Sequence, residues 1–118
     1  SAFYNCSKLS TIALPNSVVT IREYCFRSCA SLASLRIPPK VNAIKNACFM
    51  AASKLAKLIL SSNQVVILEN LNAFQSTPIA NGTGYIYVPD DLVDAYKGAT
   101  NWSTYASQIK RLSELPQE

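Results

Sequence analysis

The sequence predicts a leucine-rich solenoid: a right-handed superhelix of stacked coils with short parallel strands and a helical C-terminal cap. Three observations carry the prediction. Phe3, Phe26 and Phe49 stand 23 residues apart, and the apolar positions between them keep that step: Leu9, Leu32 and Leu55; Ile12, Leu35 and Leu58; Leu14, Ile37 and Leu60; Ile21 and Ile44. Small residues follow it too, with Cys6, Cys29 and Ala52 in one column and Ala2, Cys25 and Cys48 in another. Finally, the pattern turns helical after Val88. A fixed period between about 20 and 29 with a leucine-rich consensus marks coils that cannot bury an apolar face alone and must stack.

The step divides the chain, read as one domain over residues 1–118, into coils at 1–24, 25–47 and 48–72. A last coil at 73–89 carries an inserted loop, and a helical cap fills 90–118. Each of the first three coils contains a segment of the form Leu-x-x-Ile-x-Leu: Leu9 to Leu14, Leu32 to Ile37 and Leu55 to Leu60. The alternation within it has the period of two that lets a strand bury one face. Pro15 and Pro38 end the first two strands, because proline has no N–H to give to a ladder. A second apolar pair follows, Val18 with Ile21 and Val41 with Ile44, leading to the phenylalanine that plugs the turn. The third coil is longer by two residues, and Val65 to Leu68 covers the same ground.

Tyr85-Ile86-Tyr87-Val88-Pro89 reads as a fourth strand, matching Thr11 to Pro15, with Ile86 and Val88 inward. Asn81-Gly82-Thr83-Gly84 supplies the extra residues before it, and Asn-Gly is a turn signal because both residues tolerate positive φ. After Pro89, Asp90 or Asp91 is suited to cap a helix bearing Leu92, Val93 and Tyr96, which Gly98 would stop. Asn101 is placed to cap a second helix carrying Trp102, Tyr105 and Ile109, with Lys110 and Arg111 near its end. A terminal coil needs such a cap to cover its apolar cross-section, and Trp102, Tyr105 and Leu112 are the residues expected to close it. The N-terminal coil has no equivalent device and is expected to be frayed or covered by another copy. The chain opens inside a repeat unit, as a piece of a longer protein would.

Composition narrows the chemistry. Hydrophobic residues make up 49% and charged residues 15%, a balance that suits coils with a thin charged rim around a continuous apolar centre. Net charge is +4 without a basic run, which argues against nucleic-acid binding. No apolar stretch approaches the ~20 residues of a membrane span. Histidine is absent, so Ser-His-Asp and Cys-His nucleophilic systems and a zinc set completed by histidine are absent too. Three glycines cannot make a phosphate-cradling loop. Asp90, Asp91 and Asp94 are better explained by a helix start than by acid–base work. Neither an enzyme nor a cofactor or metal site is expected. Coils about 4.8 Å apart fall within disulfide range, but in-register side chains point the same way, so the cysteine columns read as small buried thiols. Asn5, Asn81 and Asn101 open glycosylation-type tripeptides, of which Asn81 and Asn101 also have local structural roles to fill.

What remains is the outward face of the strands. One column holds Thr11, Ser34, Lys57 and Tyr85, and the other holds Ala13, Arg36, Ile59 and Tyr87. Arg36, Lys57, Ile59, Tyr85 and Tyr87 form the candidate ligand-binding set, since Tyr and Arg combine large area with a polar tip. The bland alternative is that the tyrosines shield a sheet edge or pack under the cap loop. Arg22 and Lys45 with Glu69 read as a solvated rim.

The unit Ala-Phe-x-x-Cys-x-x-Leu-x-x-Ile-x-Leu-Pro-x-x-Val at Ala2 to Val18, repeated from Cys25-Phe26 to Val41, resembles the BspA-type leucine-rich repeat of bacterial surface proteins. The stretch from Tyr85 to Tyr96, followed by Ala99 to Ala106, is similar to the C-terminal cap found on many such proteins. The resemblance covers nearly the whole chain and implies a leucine-rich repeat solenoid. It also implies a secreted or cell-surface adhesion module whose partners are host or other bacterial surface proteins, and similar modules occur in phage-associated proteins. It carries over no catalytic residue. The alternative role is structural, capping a repeat array or joining copies through the open N-terminal coil.

Overall fold

The computed structural model describes residues 12–115. In chain order its strands are β1 (Thr20–Ile21), β2 (Ser34–Ile37), β3 (Ala43–Ile44), β4 (Lys57–Leu60), β5 (Ile67–Leu68), β6 (Tyr85–Val88) and β7 (Ile109–Arg111). They form two parallel sheets, ordered β1-β3-β5 and β2-β4-β6-β7. The chain is a leucine-rich repeat solenoid, and the 23-residue step is its register: Thr20 pairs with Ala43, and Ser34 to Ile37 pair with Lys57 to Leu60. In the first coil Leu9 and Thr11 lie outside the described residues, while Ile12 and Leu14 pack half-buried against the core. The Val18–Ile21 and Val41–Ile44 segments, read only as apolar pairs, supply two of the three strands of the first sheet.

The interior is a set of columns. Phe26, Phe49 and Phe74 are fully buried and stack face to face, with 5.5 Å between centroids and planes within 7°. Beside them run Cys25, Cys48 and Ala73, then Cys29, Ala52 and Thr77. Thr77 fits the small-residue column because its hydroxyl donates to the Phe74 carbonyl at 2.6 Å, leaving no buried polar atom unpaired there. Burial pushes the Cys48 thiol well above its ordinary pKa, which keeps it protonated.

The phenylalanine turn is hydrogen-bonded from coil to coil. The N–H groups of Phe26 and Ser28 donate to the carbonyls of Cys48 and Met50, and those of Phe49 and Ala51 donate to Ala73 and Gln75. Two residues after each phenylalanine the backbone is left-handed, at Ser28, Ala51 and Ser76, each with φ 62°. Tyr24 and Ala47 repeat the same conformation two residues before it. Each such position costs a non-glycine residue roughly 1–2 kcal/mol. The inter-coil bonds satisfy the amide and carbonyl groups that the turn would otherwise bury unpaired.

Insertions fall between the paired positions and leave the register intact. One extra residue of the third coil enters before β5, because Ile44 pairs with Leu68, and the other enters in a 3-10 turn at Leu71–Phe74, capped by the Asn70 side chain. The Asn72 side chain then accepts from the Ala47 N–H at 2.9 Å, the bond a neighbouring backbone carbonyl makes for Tyr24. The second insertion is a short helix, α1 (Pro78–Asn81), capped by the Thr77 hydroxyl. The Asn-Gly turn follows, but only Gly82 takes positive φ, at 96°. Gly84 is required for a different reason: a Cβ there would lie 3.0 Å from the Ala56 carbonyl oxygen and the Ile79 backbone.

The C-terminal segment departs from the expected pair of helices. It contains a 3-10 turn at Asp90–Leu92, α2 (Val93–Lys97), a kinked 3-10 stretch at Trp102–Gln108 and another turn at Leu112–Glu114. Ile109 to Arg111, expected to end a helix, instead form β7, because Ile109 replaces the next coil's inward residue beside Ile86. Neither aspartate caps its own helix. Asp90 accepts from the Ser113 N–H at 3.0 Å, and this bonding holds its carboxyl below the ordinary range. Gly98 does stop α2, in a right-handed conformation that any residue can adopt.

Closure of the stack is made by side chains. Along the outer edge of β5, Tyr96 Oη accepts from the Val66 N–H at 2.9 Å and Trp102 Nε1 donates to the Val66 carbonyl at 2.7 Å. Asn101 Nδ2, instead of capping, donates to the Leu68 carbonyl at 2.7 Å. The Trp102 and Tyr105 rings end the phenylalanine stack, tilted by 49° and 87° to Phe74. Leu112, expected to share this role, is only half-buried, and Tyr96 takes its place, packed edge-on against Trp102. Burial raises the pKa of Tyr96 and Tyr105, so both hydroxyls stay neutral donors.

Two expectations follow for urea or thermal melts. Trp102→Phe keeps an aromatic ring but removes the indole N–H and leaves the Val66 carbonyl buried and unpaired, so stability should fall by about 1–3 kcal/mol. Ala51→Gly relieves a left-handed residue, and after the added unfolded-state entropy it should raise stability by about 0.5–1 kcal/mol.

Candidate functional site: the outward face of the second sheet

Parallel register sets the rows of this face. Ser34, Lys57 and Tyr85 share one row, and Arg36, Ile59 and Tyr87 share the next. The five candidate residues are therefore brought together on one sheet, while Thr11 lies outside the described residues. A sixth residue joins them that the sequence reading placed on a helix. Lys110 pairs with Tyr87 across β6 and β7, and its ammonium sits over the Tyr85 ring, 5.4 Å from the centroid.

Exposure within the rows is uneven. Arg36 is exposed and Tyr85 is 42% exposed, but Ile59 is 4% and Tyr87 7% exposed. Both buried residues occupy the middle of a row on an inner strand, flanked on each side by a large residue about 4.8 Å away. Ile59 and Tyr87 thus act as the floor, and Arg36, Lys57, Tyr85 and Lys110 are the parts within reach of a partner. Nor do the tyrosines shield a sheet edge, because β7 lies beyond β6. Their rings are tilted at 6.5 Å from each other, and with Lys110 and Glu114 they line a shallow cleft of about 170 Å³. Burial, then Tyr85 and Glu114, raise the Tyr87 hydroxyl's pKa, so it remains protonated.

Two groups secure the β7 end of the face. Gln108, the buried residue just before β7, donates from Nε2 to the carbonyls of Ile79 and Gly84, each at 2.7 Å. Glu114 pairs with Arg111 at 3.3 Å and so holds the turn after β7. The sequence did hold a signal for Lys110: Ile86 to Ile109 and Tyr87 to Lys110 are again steps of 23.

The rim reading is simpler. Lys45 and Glu69 form a half-exposed ion pair at 3.2 Å, and Glu69 also accepts from the Asn46 N–H. Among the described residues no cluster of three or more His, Cys, Asp or Glu is arranged to hold a metal, and no helix is long and apolar enough to cross a membrane.

The family described as BspA type Leucine rich repeat region (6 copies) matches residues 1–94. The chain belongs to the BspA-type leucine-rich repeat family. No curated protein and no solved structure gives a match. In this BspA-type chain, the residues that close the stack, Tyr96, Asn101, Trp102 and Tyr105, lie beyond the matched segment, as do β7 and Lys110.

Separate roles for floor and reach make a stability prediction. Tyr85→Ala should change unfolding free energy by less than about 1 kcal/mol, whereas Ile59→Ala should cost about 2–5 kcal/mol. Chemical denaturation of the two variants measures the contrast.

Proposed function

We propose that the chain is a non-enzymatic protein-binding module of a secreted or surface-displayed bacterial protein, with the outward face of the second sheet as its binding surface. The observation that carries this reading is the grouping of Arg36, Tyr85 and Lys110 around the Ile59–Tyr87 floor on hydrogen-bonded strands. Side chains held at fixed rungs lose little freedom on binding, so more of the contact energy is available for affinity. Membership of the BspA-type family supports the choice of a binding role over a catalytic one. Partners of the adhesion kind, host or bacterial surface proteins, fit the same reading.

A structural role is the second reading, and the closure of β5 by Tyr96, Asn101 and Trp102 favours it, since that is how a repeat array would be ended. The two are separated by an array of purified plasma, matrix and bacterial surface proteins. The binding reading expects at least one to be retained by the wild-type chain. It further expects an Arg36→Ala/Tyr85→Ala double variant to lose that affinity by tenfold or more, on the order of a hot-spot loss. The variant should still unfold cooperatively, with a stability loss below that of Ile59→Ala, under about 2 kcal/mol. An array without binders, or binding indifferent to the double variant, counts against the sheet face and for the structural role.

A further inference from the structure

We infer that this face takes an acidic protein segment in extended conformation, laid across the strands between Lys110 and Arg36. The inference rests on the binding-face reading above and specifies its partner. Three of the four strands present a cation to the outside: Arg36 on β2, Lys57 on β4 and Lys110 on β7. The carboxylate that lines the tyrosine cleft, Glu114, is already paired with Arg111. No ion pair engages Arg36 among the described residues.

Spacing fits a peptide. Successive strands lie about 4.8 Å apart, so β2 to β7 spans about 14 Å, and an extended chain covers the same distance from residue i to i+4 at about 3.4 Å each. Carboxylates at i and i+4 would then meet Lys110 and Arg36. Residue i+2 would stand over β4 and β6, where Lys57 and Tyr85 are exposed enough to meet it.

Other polyanions fit less well. A sugar ring would need an open aromatic face, but Lys110 already covers one face of Tyr85 and Tyr87 leans towards the ring from 6.5 Å. A nucleic acid would need a longer cationic track. This one stops at β7, because the neighbouring open cleft of about 460 Å³ sets Asp90, Asp91, Asp94 and Glu114 against Lys97, Lys110 and Arg111. With its cations offset in this way, the cleft offers no net attraction to an anion that overruns Lys110.

The test uses fluorescence anisotropy with a labelled polyglutamate of about ten residues, long enough to cross the sheet when extended. Binding should weaken with added salt, as exposed charges are screened. Arg36→Glu and Lys110→Glu should each reduce affinity about five- to tenfold, the scale of an exposed pair replaced by repulsion. Lys54→Glu, which makes the same change in net charge away from the sheets, should leave affinity near the wild-type value. Absence of binding at low salt overturns the inference, as does equal loss in the Lys54 variant. So does displacement of the peptide by a heparin-derived oligosaccharide or single-stranded DNA at lower concentration. Should polyglutamate fail while an array protein still depends on Arg36 and Tyr85, the acidic partner is wrong and the binding face stands. Failure of both overturns both.

Discussion

A coil of this chain is too thin to have an interior of its own, so its apolar cross-section must be covered by the neighbouring coil. The parallel stack of Phe26, Phe49 and Phe74 expresses that constraint. Face-to-face rings 5.5 Å apart can persist only while the two sheets and the phenylalanine turn advance by one rung together. The turn meets this demand by taking left-handed backbone at Ser28, Ala51 and Ser76, which aims its amides along the stack. Local strain and inter-coil bonding are therefore two sides of one arrangement. Extra residues are accommodated between the rungs, as in α1 and in the turn that leads into Phe74.

Ending such a stack is a separate problem, because the last coil exposes both an apolar section and an unpaired strand. The two sheets solve it differently. At β5 the ladder is replaced by Tyr96, Asn101 and Trp102, whose polar tips bond to the strand's backbone while the Tyr96 and Trp102 rings cover the section. At β6 the ladder continues for one more strand, and β7 is then flanked by α2 and the turn after it. Edge strands invite unwanted pairing unless they are covered or made unattractive. Here one edge is covered by aromatic side chains and the other carries Lys110 and Arg111.

The stacking, the inward columns and the outward rows were all legible in the sequence, because periodicity reports burial directly. Ser34 and Lys57 fall in one row as the 23-residue step requires, and Tyr85 joins them once the inserted residues before it are set aside. Two kinds of information were not legible. The step returns between Ile86 and Ile109, yet Trp102, Tyr105 and Ile109 can also be read at helical spacing, and a three-residue strand is too short to outweigh that. Caps misled for a related reason: Asp90 and Asn101 are good helix-capping residues, but each found a partner on another element. Exposure was the other gap. Alternation says which way Ile59 and Tyr87 point, but their burial depends on what stands beside them in the row.

That last point bears on how a solenoid face can recognise anything. Side chains on one row are about 4.8 Å apart, closer than a tyrosine or arginine is wide, so a row of large residues packs into a second, outer layer. The residues at its centre lose their exposure and become a floor, while the ends and the adjoining row stay open. Ile59 and Tyr87 are in the first position, Arg36 and Tyr85 in the second. A partner therefore meets a few polar groups whose positions are set by packing beneath them. Placing Lys110 over Tyr85 extends this logic, since the ring limits where the ammonium can go. The same register that buries the phenylalanines thus determines the spacing of the charges outside. A partner that recognises this face must match the distance between strands before it matches any single side chain.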